Sequence, residues 1–216
     1  FTANEEFGAD VSDVFTQLTG LGRATRLKHL WQAPFALHKQ ILRAIHNETR
    51  NAQNGKKGRI IAKMNALLEP ETIAALYEAS EAGVEIDLIV RGVCALKPGI
   101  PGVSENIRVR SIVGRFLEHT RAFYFLNDGA EDVYLSSADW MDRNFFRRVE
   151  VSFPVLDAKL RKRVINEGLK PYLEDNCQAW DMDQDGRYSL CSPRRGKPHA
   201  AQEALLEMLA RAQVPG

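Results

Sequence analysis

Apolar residues recur along the chain at two different periods, and the changes between them mark out its elements. In the opening run Val11, Val14, Phe15 and Leu18 fall three or four apart, which predicts an amphipathic helix over 2–20, ended by Gly20 and Gly22. An apolar stretch at Leu30-Trp31 follows. Pro34 then introduces a helix to about Asn54, with Leu37, Ile41, Leu42 and Ile45 on one face and Asn54-Gly55 closing it. Next come two short apolar runs, 59–65 and 84–90, separated by a helix that opens at Glu69-Pro70-Glu71 and stops at Gly83. This strand–helix–strand spacing predicts parallel strands joined by a right-handed crossover.

Residues 92–106 hold Gly92, Pro98, Gly99, Pro101 and Gly102 and read as a loop. Strands are expected over 107–113, 121–126, 132–136 and 148–153, with Asn127-Asp128-Gly129 as a turn. A helix over 157–173 should bury Leu160, Val164, Ile165 and Leu169. A polar turn at 183–186, a basic loop with Arg194, Arg195 and Lys197, and a helix near 200–211 complete the chain. The expected fold is α/β, a mixed β-sheet flanked by helices. Residues 1–20 are expected to form a helical lead-in, and 21–216 the domain itself.

Composition narrows the function. At 44% hydrophobic and 26% charged, the 216 residues can build an ordinary core, so disorder is excluded. The net charge of +1 disfavours a nucleic-acid binder that works by bulk positive charge. No apolar run approaches the length of a membrane span. The cysteines Cys94, Cys177 and Cys191 are few and scattered, which suits a reducing cytoplasm better than a disulfide framework or a zinc site. The chain starts at Phe1 without a signal-peptide pattern and is expected to be a fragment of a longer one.

Candidate chemistry sits where strands end. In open α/β sheets ligands bind beyond the carboxyl ends of parallel strands, and Asn65 and Arg91 end the first two strands of the crossover. A guanidinium at such a position can hold an anion with its planar fork. His119, in Arg115-Phe-Leu-Glu-His-Thr-Arg121, is read as entering a strand on the same side as Arg121. Nearby cations would keep its imidazole neutral, or poise it as a proton donor once phosphate binds. His29, His38, His46 and His199 read as ordinary surface groups. The third cluster is Tyr134-Leu-Ser-Ser-Ala-Asp-Trp140 with Asn144, Arg147 and Arg148, a hydroxyl-rich loop suited to cradling phosphate. The series His-x-Arg, Ser-Ser-x-Asp, Asn is similar to the phospholipase D signature, His-x-Lys then Gly-Ser-x-x-Asn. Arg121 replaces the lysine, and Asp139 stands near the usual asparagine.

The runs IIAKMNALLEPETIAALYEASEAGVEIDLIVRG, SENIRVRSIVGRFLEHTRAFYF, VYLSSADWMDRN and RRVEV make the resemblance specific. Together they resemble the C-terminal part of bacterial polyphosphate kinase, the multidomain, histidine-phosphorylating type, nearly end to end and weakening past about Cys177. That resemblance implies the second of two phospholipase-D-like domains, in an enzyme that reversibly moves the terminal phosphate of ATP onto polyphosphate through a phosphohistidine. It implies ATP and phosphate contacts at Arg91 and His119, with His119 as an auxiliary acid. It also implies phosphate contacts at Arg121 and Arg148, which match basic positions lining the family's phosphate tunnel. The phosphorylated histidine, the magnesium-binding residues and an ATP-contacting tyrosine are expected upstream of Phe1. Mg2+ would therefore be held outside this chain, which alone would be inactive. The implied partners are ATP or ADP, polyphosphate, the preceding domains and further copies of the full-length enzyme. No specific nucleic acid is implied, and the location would be cytoplasmic with peripheral membrane attachment open.

Two other functions stay open. A phospholipase-D-like phosphodiesterase needs two His-x-Lys motifs, and this chain carries one His-x-Arg. A non-catalytic phosphate- or nucleic-acid-binding module is the second, although the chain lacks the aromatic–basic interleaving that nucleic acid would need.

Overall fold

The computed structural model describes residues 2–20, 26–193 and 197–212, so Gly22, Arg194 and Arg195 of the sequence reading lie outside the described residues. Its centre is a nine-stranded mixed sheet. The strands are β1 (Trp31–Ala33), β2 (Arg59–Met64), β3 (Glu85–Val90), β4 (Ile107–Ile112), β5 (Arg121–Phe125), β6 (Asp132–Ser136), β7 (Glu150–Pro154), β8 (Ala179–Met182) and β9 (Tyr188–Leu190). They lie in the order β1-β7-β6-β5-β2-β3-β4-β8-β9. Strands β2 and β3 run parallel, as the strand–helix–strand spacing predicts; β4 adds a further parallel pairing to β3, and the other pairings are antiparallel.

Side-chain alternation in β2 feeds two cores. Ile60, Ala62 and Met64 pack under α2 (Leu37–Gln53) and α3 (Pro70–Glu81) with Leu76, Leu88, Phe123 and Trp140. Ile61 faces the other side with Ile89, Ile112, Leu169 and Tyr172. Glu69 caps α3, accepting from the amides of Glu71 and Thr72, and Pro70 occupies the first turn, where its missing N–H costs nothing.

The lead-in is α1 (Glu5–Leu18), capped by Asn4. Val14 is covered within this chain, whereas Val11, Phe15 and Leu18 are exposed. Buried Asp10 accepts the backbone N–H groups of Lys28, His29 and Leu30 at 2.8, 2.7 and 2.9 Å, so the helix is tied to the start of the sheet domain.

Several expectations need correction. The helix over 157–173 is instead α5 (Ala158–Arg163), a π-helical turn (Val164–Leu169) and α6 (Lys170–Glu174). Pro171 cannot donate an N–H back to Glu167, so the regular ladder fails there. Leu160 is exposed rather than buried. The strand expected from Arg148 begins at Glu150, where pairing with Ala33 starts. His38 is buried, not at the surface, bonding Glu69 at 3.0 Å beside Phe145 and Phe146. The remaining elements, α4 (Asp142–Phe146) and α7 (Ala201–Ala212), complete the described chain.

Candidate functional site

Strand direction decides where the polar residues meet. The carboxyl ends of β2, β3, β4 and β6 and the amino ends of β5 and β7 share one sheet edge. That edge receives Asn65, Arg91, His119, Arg121, Ser136, Asp139 and Arg148 from separate stretches of sequence.

Asp139 is the hub. Its Oδ1 accepts the Asn65 backbone N–H at 2.7 Å, the Asn65 Nδ2 at 3.3 Å and Arg121 Nε at 3.1 Å, while its Oδ2 accepts Arg121 NH2 at 3.0 Å. The oriented Asn65 amide then presents Oδ1 to Arg91 Nε at 2.9 Å. A continuous chain, Arg91–Asn65–Asp139–Arg121, therefore crosses β3, β2, the loop after β6, and β5. Burial alone would raise the Asp139 carboxyl. Hydrogen bonds from Arg121 and the Asn65 backbone outweigh it and hold the group below the ordinary carboxylate value.

Below Arg91 the backbone is equally tight. Gly92 N donates to Asn65 O at 2.9 Å, and a Cβ at Gly92 would stand 3.0 Å from that oxygen. A side chain there would push the β3 exit away from Asn65. The Arg91 carbonyl accepts from Ser111 Oγ at 2.9 Å. A cleft of about 230 Å³ opens beside Arg91, bounded by Ser111, Val113, Trp180 and Tyr188.

The four cationic candidates differ in what they have left to offer. Arg91 uses only Nε, so its two terminal nitrogens have no protein partner among the described residues. Arg121 is more committed, since it grips Asp139 with two nitrogens and the His119 carbonyl with NH1 at 3.1 Å. His119 stands in the loop before β5, not within the strand, and its side chain is exposed. Arg148 is exposed in the bend after α4, with no side-chain partner among the described residues. Ser136 and Ser137 turn inward to Ser152 and Glu150 and brace the loop rather than cradle an anion.

The structure adds residues that the sequence reading did not single out. Lys63 in β2 is 2% exposed, with Nζ 2.7 Å from Glu118 Oε2 and 3.3 Å from the centre of the Tyr172 ring. Burial pushes its ammonium down from the ordinary lysine value, and Glu118 opposes that shift. A lysine inside the apolar run Ile-Ile-Ala-Lys-Met is the signal that could have found it.

Known proteins match this chain in sequence and fold. The family model described as Polyphosphate kinase C-terminal domain 2 covers residues 30–202. The chain belongs to that family. It is 61% identical over 97% of its length to polyphosphate kinase from Burkholderia cenocepacia (strain HI2424), covering 30% of that protein. The corresponding protein of Paraburkholderia phytofirmans (strain DSM 17436 / LMG 22146 / PsJN) is 59% identical over 94% of the chain, again covering 30% of its own length. The crystal structure of polyphosphate kinase from Porphyromonas gingivalis superimposes with a TM-score of 0.93 at 41% identity, covering 98% of this chain and 32% of that one. The domain thus spans about a third of the length of the kinases it matches.

The one three-ligand cluster among the described residues does not fit a magnesium ion. Only His38, Glu69 and Glu71 bring three candidate ligand atoms together. The oxygens of Glu69 already accept from Glu71 N, Thr72 N, Thr72 Oγ1 and His38, and Mg2+ demands a near-octahedral shell of oxygens.

Proposed function

We propose that this domain supplies nucleotide- and phosphate-binding residues to a polyphosphate kinase that reversibly transfers the γ-phosphate of ATP to inorganic polyphosphate. The observation that carries the reading is the Arg91–Asn65–Asp139–Arg121 chain, which fixes two guanidinium groups on one sheet edge while leaving the Arg91 fork free. Phosphoryl transfer needs positioning and neutralisation of charge on the phosphate oxygens more than covalent chemistry from the protein. Arg91 would bind phosphate through its terminal nitrogens, with the imidazole of His119 bonding a phosphate oxygen or donating a proton to it. Arg121 still has one N–H on each terminal nitrogen to offer, and Arg148 adds positive charge.

The phosphohistidine of the reaction and any magnesium ligands belong to segments preceding this domain. Residues 1–20 close the preceding domain, whose surface would cover the exposed Phe15 and Leu18. Full-length copies assemble into a homo-oligomer. Cys94, Cys177 and Cys191 are free thiols, which agrees with a cytoplasmic location, and no described helix is long and apolar enough to cross a membrane.

The test is incorporation of label from γ-labelled ATP into polyphosphate by the full-length protein. Arg91→Ala should cripple it at unchanged expression and fold, and a wild-type rate in that variant overturns the reading.

A further inference from the structure

Residues 113–120 join β4 to β5 without helix or strand, yet they carry His119. Apolar packing does not shape this loop, because Phe116 and Leu117 are exposed. Polar contacts from two other elements hold it. Lys63 of β2 meets Glu118 Oε2 from below, under the Tyr172 ring of α6. Gln202 of α7 donates to Glu118 Oε1 at 2.7 Å. The same amide grips both backbone groups of Phe116, accepting its N–H at 2.9 Å and donating to its carbonyl at 2.8 Å. The approach is so close that a Cβ on Gly114 would lie 2.5 Å from Gln202 Oε1 and 2.6 Å from Gln178 Oε1.

A buried ion pair is a poor device for stability, since desolvation consumes most of its attraction. Its merit is a fixed geometry. Glu118 immediately precedes His119, and the His119 carbonyl is in turn held by Arg121. We propose that Glu118 is a positioning residue, clasped between Lys63 and Gln202 so that His119 stands at the sheet edge beside Arg121. This role rests on the functional reading of His119 given above.

The experiment is steady-state polyphosphate synthesis by the full-length protein carrying Glu118→Gln, Gln202→Leu or His119→Ala, and each of the first two combined with His119→Ala. Misplacing a reacting group by about 1 Å can cost up to roughly a hundredfold in rate. Glu118→Gln and Gln202→Leu are each expected to lower kcat by about tenfold while KM for ATP moves less than about twofold. Combined with His119→Ala, each should add less than about a twofold further loss, because residues acting as one unit are not additive. Hydrogen exchange should rise at 114–120 in both single variants while β2 and β3 stay protected.

A wild-type rate for His119→Ala would overturn the functional reading of His119, and this role with it. A crippled His119→Ala enzyme alongside a fully active Glu118→Gln, or full multiplicative losses in the double variants, would overturn the positioning role alone. Where Glu118→Gln does not fold, Gln202→Leu leaves the Lys63–Glu118 pair intact and carries the same test.

Discussion

Arg121 and Asp139 face each other in a two-pronged ion pair, Nε to Oδ1 at 3.1 Å and NH2 to Oδ2 at 3.0 Å, with both side chains largely buried. Removing one partner of such a pair leaves the other uncompensated, at a typical cost of about 3 kcal/mol. Asp139→Asn should therefore destabilise the domain by about that amount in urea unfolding. It should also free one terminal nitrogen of Arg121 from its carboxylate and lower synthesis in the full-length enzyme. An unchanged unfolding midpoint would show that the pair contributes nothing to stability.

Acid should weaken this edge and also the opposite end of the sheet, where Asp87 of β3 pairs with Arg59 and Arg108. Asp139 and Asp87 both titrate below their ordinary value. Burial opposes the shift at each, and hydrogen bonds from Arg121 in one case and Arg108 with Arg59 in the other overcome it. A depressed folded value means stability fully present above the unfolded carboxylate value of about 3.9 and lost as pH falls through the folded one. Unfolding free energy should accordingly fall as pH drops from about 4, and Asp139→Asn should flatten that slope. An identical slope in the variant would remove Asp139 from the account.

Arg91→Ala and His119→Ala in the full-length enzyme should each cost about 10²–10³ in synthetic rate, the usual loss for one donor to a developing oxyanion. Arg91→Lys should recover only part, because an ammonium cannot bond Asn65 and a phosphate with one planar fork. His46 is half-exposed on α2 and suits the control, so His46→Ala should keep the wild-type rate. His38 is unsuitable, being packed against Phe145 and Phe146. If His119→Ala retained a third of the rate at saturating ATP, its assignment would fail.

Acid-labile phosphate from γ-labelled ATP should map outside residues 1–216 when the full-length enzyme is digested and its labelled peptides are separated. His119 donates a hydrogen bond or gives a proton in the proposed chemistry and forms no covalent bond to phosphorus. Label on the peptide containing His119 would make it a nucleophile instead.

The sequence made the strand ends legible because short β-branched runs such as Ile60-Ile61 and Ile89-Val90 terminate in a polar residue and a glycine or loop. Arg91 at the end of β3 follows from that pattern alone. The long motifs, read as a resemblance, named the family. Hidden from the pattern were contacts that need three dimensions, such as the Asp139 carboxylate reaching Asn65 seventy-four positions away. Short strands were missed too. β1 and β9 are three residues each, too few to show a period. His38 misled because its polar neighbours Lys39 and Gln40 point away from the core that its own ring enters.

Asp10 bears on where this domain begins. A cut at the glycines around residue 20, where sequence alone would divide the chain, removes the one carboxylate that accepts the amides of Lys28, His29 and Leu30. Each lost bond costs about 0.5–1.5 kcal/mol, and the loss falls just ahead of β1, the strand that closes one margin of the sheet. An excised unit that starts ahead of Asn4 keeps both the helix cap and those three contacts, so it is expected to resist unfolding better than one cut at the glycines.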